Sequence, residues 1–254
     1  MKILLAITTY ESRSFLGRLF RNIQNEIDPK PDYTLFVSTD YAPFNDLLFI
    51  ERNFKLPHKI INMPFCKDAT KILGNPYYTI AIVRQAALEY ARKHKEFSHL
   101  LFLDDDVVVQ TRNALELMTE HTSPYLIVGA PYLRVYPEGL YLACKWGTVN
   151  VGRYLLKKQA FYPFDYPIMI SGGFMCINRK VIDDERINFY PFSEVHYKTG
   201  ASEDYGYCLL SRQYGYYCIL DGRIKLYHYF KETLKQKKPW MVDKQGGKYI
   251  EFSY

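Results

Sequence analysis

The stretch His99–Val109, HLLFLDDDVVV, sets a run of apolar residues directly against three consecutive carboxylates. The apolar run has the length of a buried strand, and the carboxylates stand where that strand would end. Two unit charges about 4 Å apart repel by about 4 kcal/mol at an effective dielectric constant near 20. The cluster therefore favours a bound divalent cation, and its oxygen ligands suit magnesium, calcium or manganese. A solvated acidic turn is the alternative, because Asp is common at strand ends.

Apolar runs and helical patterns alternate through the first half of the chain. The predicted elements there are strands at 3–8, 33–38, 59–62 and 99–103, with helices at about 14–27 and 78–93. Such alternation is typical of a parallel sheet with helices on its faces. Ligands gather beyond the carboxyl ends of the strands in such sheets, which is where the acidic cluster is expected.

The second half of the chain carries a looser pattern. Strand-like runs occupy 126–130 and 168–178, and strands are again predicted at 216–220 and 223–230. Between these runs, Ser202 is a predicted N-cap, with Glu203 and Asp204 in the first turn of a helix that Gly215 ends. No repeat, low-complexity tract or linker divides the sequence. The sequence therefore predicts a single α/β domain.

Composition narrows the class of protein. The chain has 254 residues, of which 48% are hydrophobic and 24% charged, with a net charge of +6. The basic residues form no single stripe, which argues against nucleic acid as a partner. Part of the charge lies in residues 231–254, which we interpret as a solvated basic tail; an acceptor-binding flap or a patch for peripheral membrane contact are the alternatives. Five cysteines without a CxxC pair predict neither a zinc finger nor a disulfide framework. With no signal peptide and no transmembrane run, we expect a cytoplasmic setting.

Arg84 lies inside the apolar stripe of the helix predicted at 78–93. An unpaired charge on a face that packs into the core is costly, so Arg84 needs a partner. A phosphate or one of the nearby Asp residues would serve, and a guanidinium that reaches solvent at the edge of the stripe is the alternative.

Other candidates each have a structural explanation beside the functional one. His228 shares its face with apolar residues, so it is either a core histidine or a metal ligand. Glu203 and Asp204 either complement the helix dipole, or one of them is a general base kept active by desolvation. Gly172 and Gly173 let the backbone approach a ligand or simply form a turn. Trp146 either stacks on a sugar or packs in the core.

These pieces together resemble the nucleotide-sugar glycosyltransferases of the GT-A fold, most closely the family 2 type. The resemblance covers most of residues 1–230 and rests on ordered motifs: ITTYES, VRQAA, FLDDD, SGGFMCINRKVI, SEDYGYCLLSRQYGY and LYH. It implies a single Rossmann-like mixed sheet with helices on both faces. It also implies a nucleotide-binding half at 1–106, an acceptor-binding half at 107–230, and the basic tail at 231–254.

The resemblance further implies roles for individual residues. The donor, in most such enzymes a UDP-sugar with a GDP-sugar as the alternative, would be bound by Thr8, Thr9, Asp40, Arg84, Asp104, Asp105, Gly172 and Gly173. A divalent cation, Mn²⁺ or Mg²⁺, would be held by Asp106, Asp104 and His228. Asp204, beside Glu203, would be the base of an inverting transfer to a hydroxyl of a glycan or other acceptor, with Trp146 on the acceptor side.

The chain departs from the family pattern at Gln85, where Asn is common, and it lacks the acceptor motif and membrane spans of processive synthases.

Two other functions remain open. LDDDVVV also resembles the strand-end motif of haloacid-dehalogenase-like, magnesium-dependent phosphatases, although about 100 residues precede it here. A non-catalytic module that binds a sugar or nucleotide is the second alternative, against which the combination of the acidic cluster and the Glu203–Asp204 pair argues. The glycine signatures of NTPases and dehydrogenases are absent from the sequence.

Overall fold

The computed structural model describes residues 1–9, 13–38, 43–63, 77–121, 123–130, 133–136, 139–142, 170–189 and 203–228. The strands in this part of the chain are β1 (Ile3–Thr9), β2 (Tyr33–Ser38), β3 (His58–Asn62), β4 (His99–Asp104), β5 (Val107–Val109), β6 (Leu126–Gly129), β7 (Leu133–Tyr136), β8 (Gly139–Leu142), β9 (Phe174–Asn178), β10 (Tyr217–Leu220) and β11 (Leu226–His228). The helices are α1 (Arg13–Arg21), α2 (Pro43–Asn53), α3 (Tyr77–Lys93), α4 (Ala114–Thr119), α5 (Arg179–Asp183) and α6 (Glu203–Gln213), and a π-helical turn (Asn22–Glu26) follows α1.

Seven strands form one mixed sheet in the order β10-β6-β9-β4-β1-β2-β3. Strand β9 runs antiparallel to both its neighbours, β4 and β6. The other pairings in the sheet are parallel, so six strands end at the same edge. Outside this sheet, β11 pairs with β5 and β7 pairs with β8. The predicted mixed α/β sheet is confirmed.

Alternating side chains of the central strands supply two hydrophobic cores, one on each face of the sheet. In β1, Leu4 and Ala6 face one core, whereas Ile3, Leu5 and Ile7 face the other, as the two-residue period of a strand requires. Helices α3, α5 and α6 cover the first face, and α1, α2 and α4 cover the second. The predicted helices on both faces are confirmed. Within the described residues, no helix combines the length and apolarity needed to cross a membrane.

The helix predicted at 14–27 ends as an α-helix at Arg21 and continues as the π-helical turn. This turn holds Asn22, which is buried, against β5. The Asn22 amide donates to the carbonyl of Val109 at 2.7 Å and accepts from the Val109 N–H at 2.9 Å. These two hydrogen bonds fix the backbone of the short strand that follows the acidic cluster.

Two predicted strands extend beyond the described residues and are shorter within them. In the run predicted at 168–178, residues 168 and 169 lie outside the described part of the chain, and the described strand begins at Phe174. Before it, the Gly172 N–H donates to Asp204 and the Gly173 N–H donates to the Ser171 hydroxyl rather than to a neighbouring strand. In the run predicted at 223–230, the described strand is Leu226–His228. Before it, the Arg223 N–H donates to the carboxylate of Asp221 at 3.0 Å, which forms a turn.

Candidate functional site

The carboxyl ends of β1 and β4 meet at the acidic cluster. Thr8 and Asp104 are register partners, and the Thr8 hydroxyl donates to Asp104 Oδ1 at 3.3 Å. Because β9 is antiparallel, the turn before it lies at the same edge, where the Asp104 N–H donates to the Gly173 carbonyl at 3.0 Å. Three segments that are distant in sequence therefore converge on Asp104.

Helix α3 brings a buried cation to this point. Arg84 is 2% exposed, and its Nη2 donates to Asp104 Oδ1 at 2.7 Å, while its Nη1 donates to Glu203 Oε1. Burial alone would lower the pKa of Arg84, but the carboxylates of Asp104 and Glu203 outweigh burial and hold it above its ordinary value. Of the partners left open by the sequence, the structure shows an Asp, and it adds Glu203, which the sequence did not predict as a partner.

Gly172 lies directly against this guanidinium. A Cβ built on Gly172 would stand 1.7 Å from Arg84 Nη1 and 2.2 Å from its Cζ, so no side chain fits there. The Gly172 N–H donates to Asp204 Oδ2 at 3.0 Å. The sequence predicts either a close approach to a ligand or a simple turn at Gly172, and the group that lies against Gly172 in the structure is the side chain of Arg84.

The first turn of α6 supplies two carboxylates that bond in different directions. Glu203, 3% exposed, accepts from Arg84. Asp204, 8% exposed, accepts from the N–H groups of Gly172 at 3.0 Å and Tyr205 at 2.8 Å. Burial raises the pKa of Glu203 to about 8, although the charge of Arg84 acts in the opposite direction. For Glu203, desolvation therefore outweighs both the helix N-terminus and the neighbouring cation.

The raised pKa of Glu203 predicts a pH-dependent stability. Its pKa rises from 4.5 to about 8 in the folded chain. The stabilisation from its protonated form is therefore full below pH 4.5 and is lost as the pH rises to about 8. A Glu203→Gln variant cannot ionise at this position. Between pH 4.5 and about 8, its free energy of unfolding should therefore rise relative to that of the unsubstituted protein by on the order of a few kcal/mol. Urea unfolding at a series of pH values measures the difference, and parallel curves would contradict the prediction.

Asp105 and Asp106 form the turn between β4 and β5 and are both partly exposed. The backbone of His228 lies close to this turn, since β11 pairs with β5 and His228 is the register partner of Val107. The structure thus brings the backbone of His228 opposite the residue that follows Asp106.

Of the other predicted site residues, Thr9 lies within the described part of the chain, whereas Asp40 and Trp146 lie outside it. Thr9 lies at the carboxyl end of β1 but is only 2% exposed, and its hydroxyl makes no hydrogen bond to the residues described here. The basic tail also lies outside the described residues. Gln85, the departure from the family pattern, does not contact the acidic cluster in any described hydrogen bond. Instead it accepts from the Phe189 N–H at 2.9 Å and donates to Asn188 at 3.1 Å.

Sequence reasoning missed a second ionic group, at the end of β10. In the described part of the chain, Glu120, His121 and Asp221 form a group whose potential metal-ligand atoms lie within 4.8 Å of one another. Arg223 already pairs with both carboxylates of this group: its Nη2 lies 2.7 Å from Asp221 Oδ2 and also contacts Glu120. Burial would raise the pKa of Asp221, but hydrogen bonds from His121 and Arg223 prevail and lower it. We interpret the group as an ionic connection between the end of α4 and the turn after β10, because Arg223 supplies the countercharge.

The position of Asp221 gave a signal that sequence reasoning could have used. Asp221 directly follows β10, as Asp104 ends β4, and its N–H donates to the Gly129 carbonyl at 2.8 Å. A carboxylate at the end of an apolar run next to a turn is the same pattern that singled out the acidic cluster.

Comparison with known proteins supports the fold. No protein-family model matches the chain, and no curated protein matches its sequence. Among solved structures, the protein A197 from STIV is similar at a TM-score of 0.52 and 15% identity, covering 100% of this chain and 99% of A197. Residues 1–349 of S. aureus TarS are similar at a TM-score of 0.50 and 17% identity, covering 87% of this chain and 58% of that one. The same TarS fragment in complex with UDP gives a TM-score of 0.51 at 17% identity, covering 87% of this chain and 57% of that one.

The chain spans little more than half of the TarS fragment but nearly all of A197. At these identities the likeness establishes the fold alone. The chain has a glycosyltransferase-like α/β fold, as the sequence motifs predict.

Proposed function

We propose that this chain is a glycosyltransferase that moves a sugar from a nucleotide-sugar donor, a UDP-sugar, to a hydroxyl of a glycan or other acceptor. The observation that carries the proposal is the convergence of four predicted site residues, from four separate elements, at the carboxyl end of β4. These residues are Thr8, Arg84, Asp104 and Asp204. The fold shared with TarS, which has been solved with UDP, supports UDP as the nucleotide.

The donor end of the proposed site is acidic. Asp104 Oδ1 is bonded to Arg84 and Thr8, whereas Oδ2 accepts no hydrogen bond from the described residues, and the side chain is 27% exposed. Oxygen ligands of this kind fit Mn²⁺ or Mg²⁺, which Asp104 and Asp106 would hold together with His228. When bound, such a cation would neutralise the charge that builds on the leaving diphosphate.

The acceptor end of the proposed site is Asp204. Two backbone N–H groups, from Gly172 and Tyr205, fix the orientation of its carboxylate. In the proposed reaction Asp204 takes the proton of the acceptor hydroxyl as that oxygen forms its bond to the anomeric carbon. The bond from this carbon to the donor phosphate breaks on the opposite face, and its electron pair leaves with UDP. The anomeric configuration is therefore inverted.

The remaining predicted residues complete the proposal. Thr9, Asp40, Asp105 and Gly173 belong to the nucleotide-sugar side, and Trp146 belongs to the acceptor side. In this proposal the whole chain is a single catalytic domain, with its nucleotide-binding half at 1–106 and its acceptor-binding half at 107–230.

Calorimetric titration of UDP tests the donor site directly. We expect UDP to bind in the presence of Mn²⁺, and its affinity to fall at least about tenfold with EDTA or in Asp106→Ala; tenfold corresponds to about 1.4 kcal/mol. UDP-sugars with candidate acceptors would then be screened for transfer.

The matched control is Asp28→Ala, which removes an exposed carboxylate that pairs with Arg112 at 2.9 Å. It should leave UDP affinity unchanged. If UDP fails to bind with or without Mn²⁺, the proposal is wrong, and hydrolysis of p-nitrophenyl phosphate would indicate the phosphatase instead. UDP binding without transfer to any acceptor would favour the non-catalytic module.

A further inference from the structure

Side chains and backbone of the described residues enclose the guanidinium of Arg84. Its two terminal nitrogens donate to carboxylates from different elements, Asp104 at the end of β4 and Glu203 at the start of α6. The backbone of Gly172 lies against the guanidinium so closely that a Cβ would overlap it. With the residue 2% exposed, a donor phosphate could reach Arg84 only by displacing these neighbours.

Glu203 is equally inaccessible. It is 3% exposed, its Oε1 accepts from Arg84, and its buried Oε2 has no hydrogen-bond partner in the described part of the chain. A general base must come within hydrogen-bond reach of the proton it removes. Glu203 instead accepts a hydrogen bond from the buried guanidinium of Arg84, whereas Asp204 accepts from the Gly172 N–H in the turn before β9.

Asp104 is the one member of this group that retains substantial exposure. Its Oδ1 receives both Arg84 and Thr8, which leaves Oδ2 for a ligand. The side chain is 27% exposed, compared with 3% for Arg84 and 4% for Glu203. Two buried side chains thus support a third that is partly open.

We propose that Arg84 and Glu203 are a positioning pair: Glu203 fixes the guanidinium of Arg84, which fixes the carboxylate of Asp104 with one oxygen left for the nucleotide-sugar or its cation. Neither member of the pair touches donor or acceptor. The identity of the ligand rests on the proposed function, whereas the pair itself rests on the contacts.

A double-mutant cycle distinguishes positioning from direct contact. UDP affinity with Mn²⁺ is measured for Arg84→Lys, Asp104→Asn and the double variant. Loss of a residue that orients a ligand group typically weakens binding by about 10- to 100-fold. Arg84→Lys should therefore weaken UDP about tenfold in the unsubstituted protein, yet by less than about twofold where Asp104 is already Asn. Losses that multiply in the double variant would show that Arg84 contacts the nucleotide, and would overturn the proposal.

Glu203→Ala supplies the second readout, because it removes the oxygen that accepts from Arg84. If Glu203 is a positioning residue, its loss should weaken UDP binding severalfold even without acceptor. This weakening should vanish in the Arg84→Lys background. An acceptor-side base would leave UDP affinity unchanged, and that result would overturn the assignment. Arg92→Lys is the matched control, because Arg92 lies on the same helix and bonds to backbone carbonyls of Ile182, Asp184 and Ile187, away from the acidic cluster. It should lower Tm without changing UDP affinity.

Thermal unfolding of the same variants separates failure of this inference from failure of the proposed function. If the unsubstituted protein does not bind UDP, the proposed function fails. The positioning pair still requires that the Tm decreases of Arg84→Lys and Asp104→Asn be non-additive in the double variant. Additive decreases would overturn the pair whatever the ligand is.

Discussion

Arg84→Met is expected to lower the free energy of unfolding by about 3 kcal/mol. Methionine replaces the apolar stem of the side chain but not its guanidinium, so Asp104 loses its ion-pair partner and Glu203 loses its hydrogen-bond donor. Breaking a buried pair from one side typically costs about 3–5 kcal/mol, because the remaining charge stays desolvated. The side chain of Asp104 is 27% exposed, so water solvates part of that charge. The expected loss of stability therefore lies at the low end of this range. Urea unfolding at neutral pH measures it.

Arg112→Met is the matched control for this variant. It removes an Arg that also pairs with an Asp at 2.9 Å, but the two side chains are 78% and 55% exposed. Surface pairs of this kind contribute about 0–1 kcal/mol, so the control should change little. Equal losses in the two variants would mean that the Arg84 contacts contribute no more than a surface pair.

The need of Arg84 for a charged partner could be predicted from the sequence, because helix periodicity alone places this charge on a buried face. A guanidinium on the stripe that contains Val83 and Ala87 must be paired, and an Asp of the acidic cluster was one of the two partners that the sequence offered. Glu203 was predicted as a functional residue but not as a partner of Arg84. That contact spans 119 positions and depends on how α6 packs against α3. Pairing at such distance has no signature in a single sequence.

The bounds of six strands of the sheet, including the partly exposed edge strand β3, were predicted within one residue. Among them, strands β1, β2 and β4 are continuous apolar runs at the centre of the sheet. Helices α2 and α4 and strand β5 were missed, although Pro43 at the first position of α2 is a common start signal. Strand β5 has only three residues, and its place is fixed by Asn22 and β11 rather than by its own pattern.

Gly172→Ala is the second variant with a large expected effect, a loss of stability of at least about 3 kcal/mol together with loss of metal-dependent UDP binding. The new methyl would stand 1.7 Å from Arg84 Nη1, closer than any contact between non-bonded atoms. An exposed Arg would swing aside at little cost, but Arg84 is held by Asp104 and Glu203. Either the guanidinium leaves its carboxylates or the turn moves away from Asp204. Overpacking costs about 1–3 kcal/mol, and disruption of the buried pair adds to it.

Gly17→Ala is the control that isolates this steric effect. Gly17 lies within α1, where a Cβ would meet Phe49 Cζ at an ordinary 3.7 Å. Since Gly in a helix interior is about 0.5–1 kcal/mol less favourable than Ala, this variant should be slightly more stable than the unsubstituted protein. Equal stability of Gly172→Ala and Gly17→Ala would contradict the packing of Arg84 on the turn. If Gly172→Ala costs stability in the unsubstituted protein but costs little in a protein whose Arg84 is already Ala, the methyl and the guanidinium compete for the same space. That competition would explain why this position of the site requires glycine.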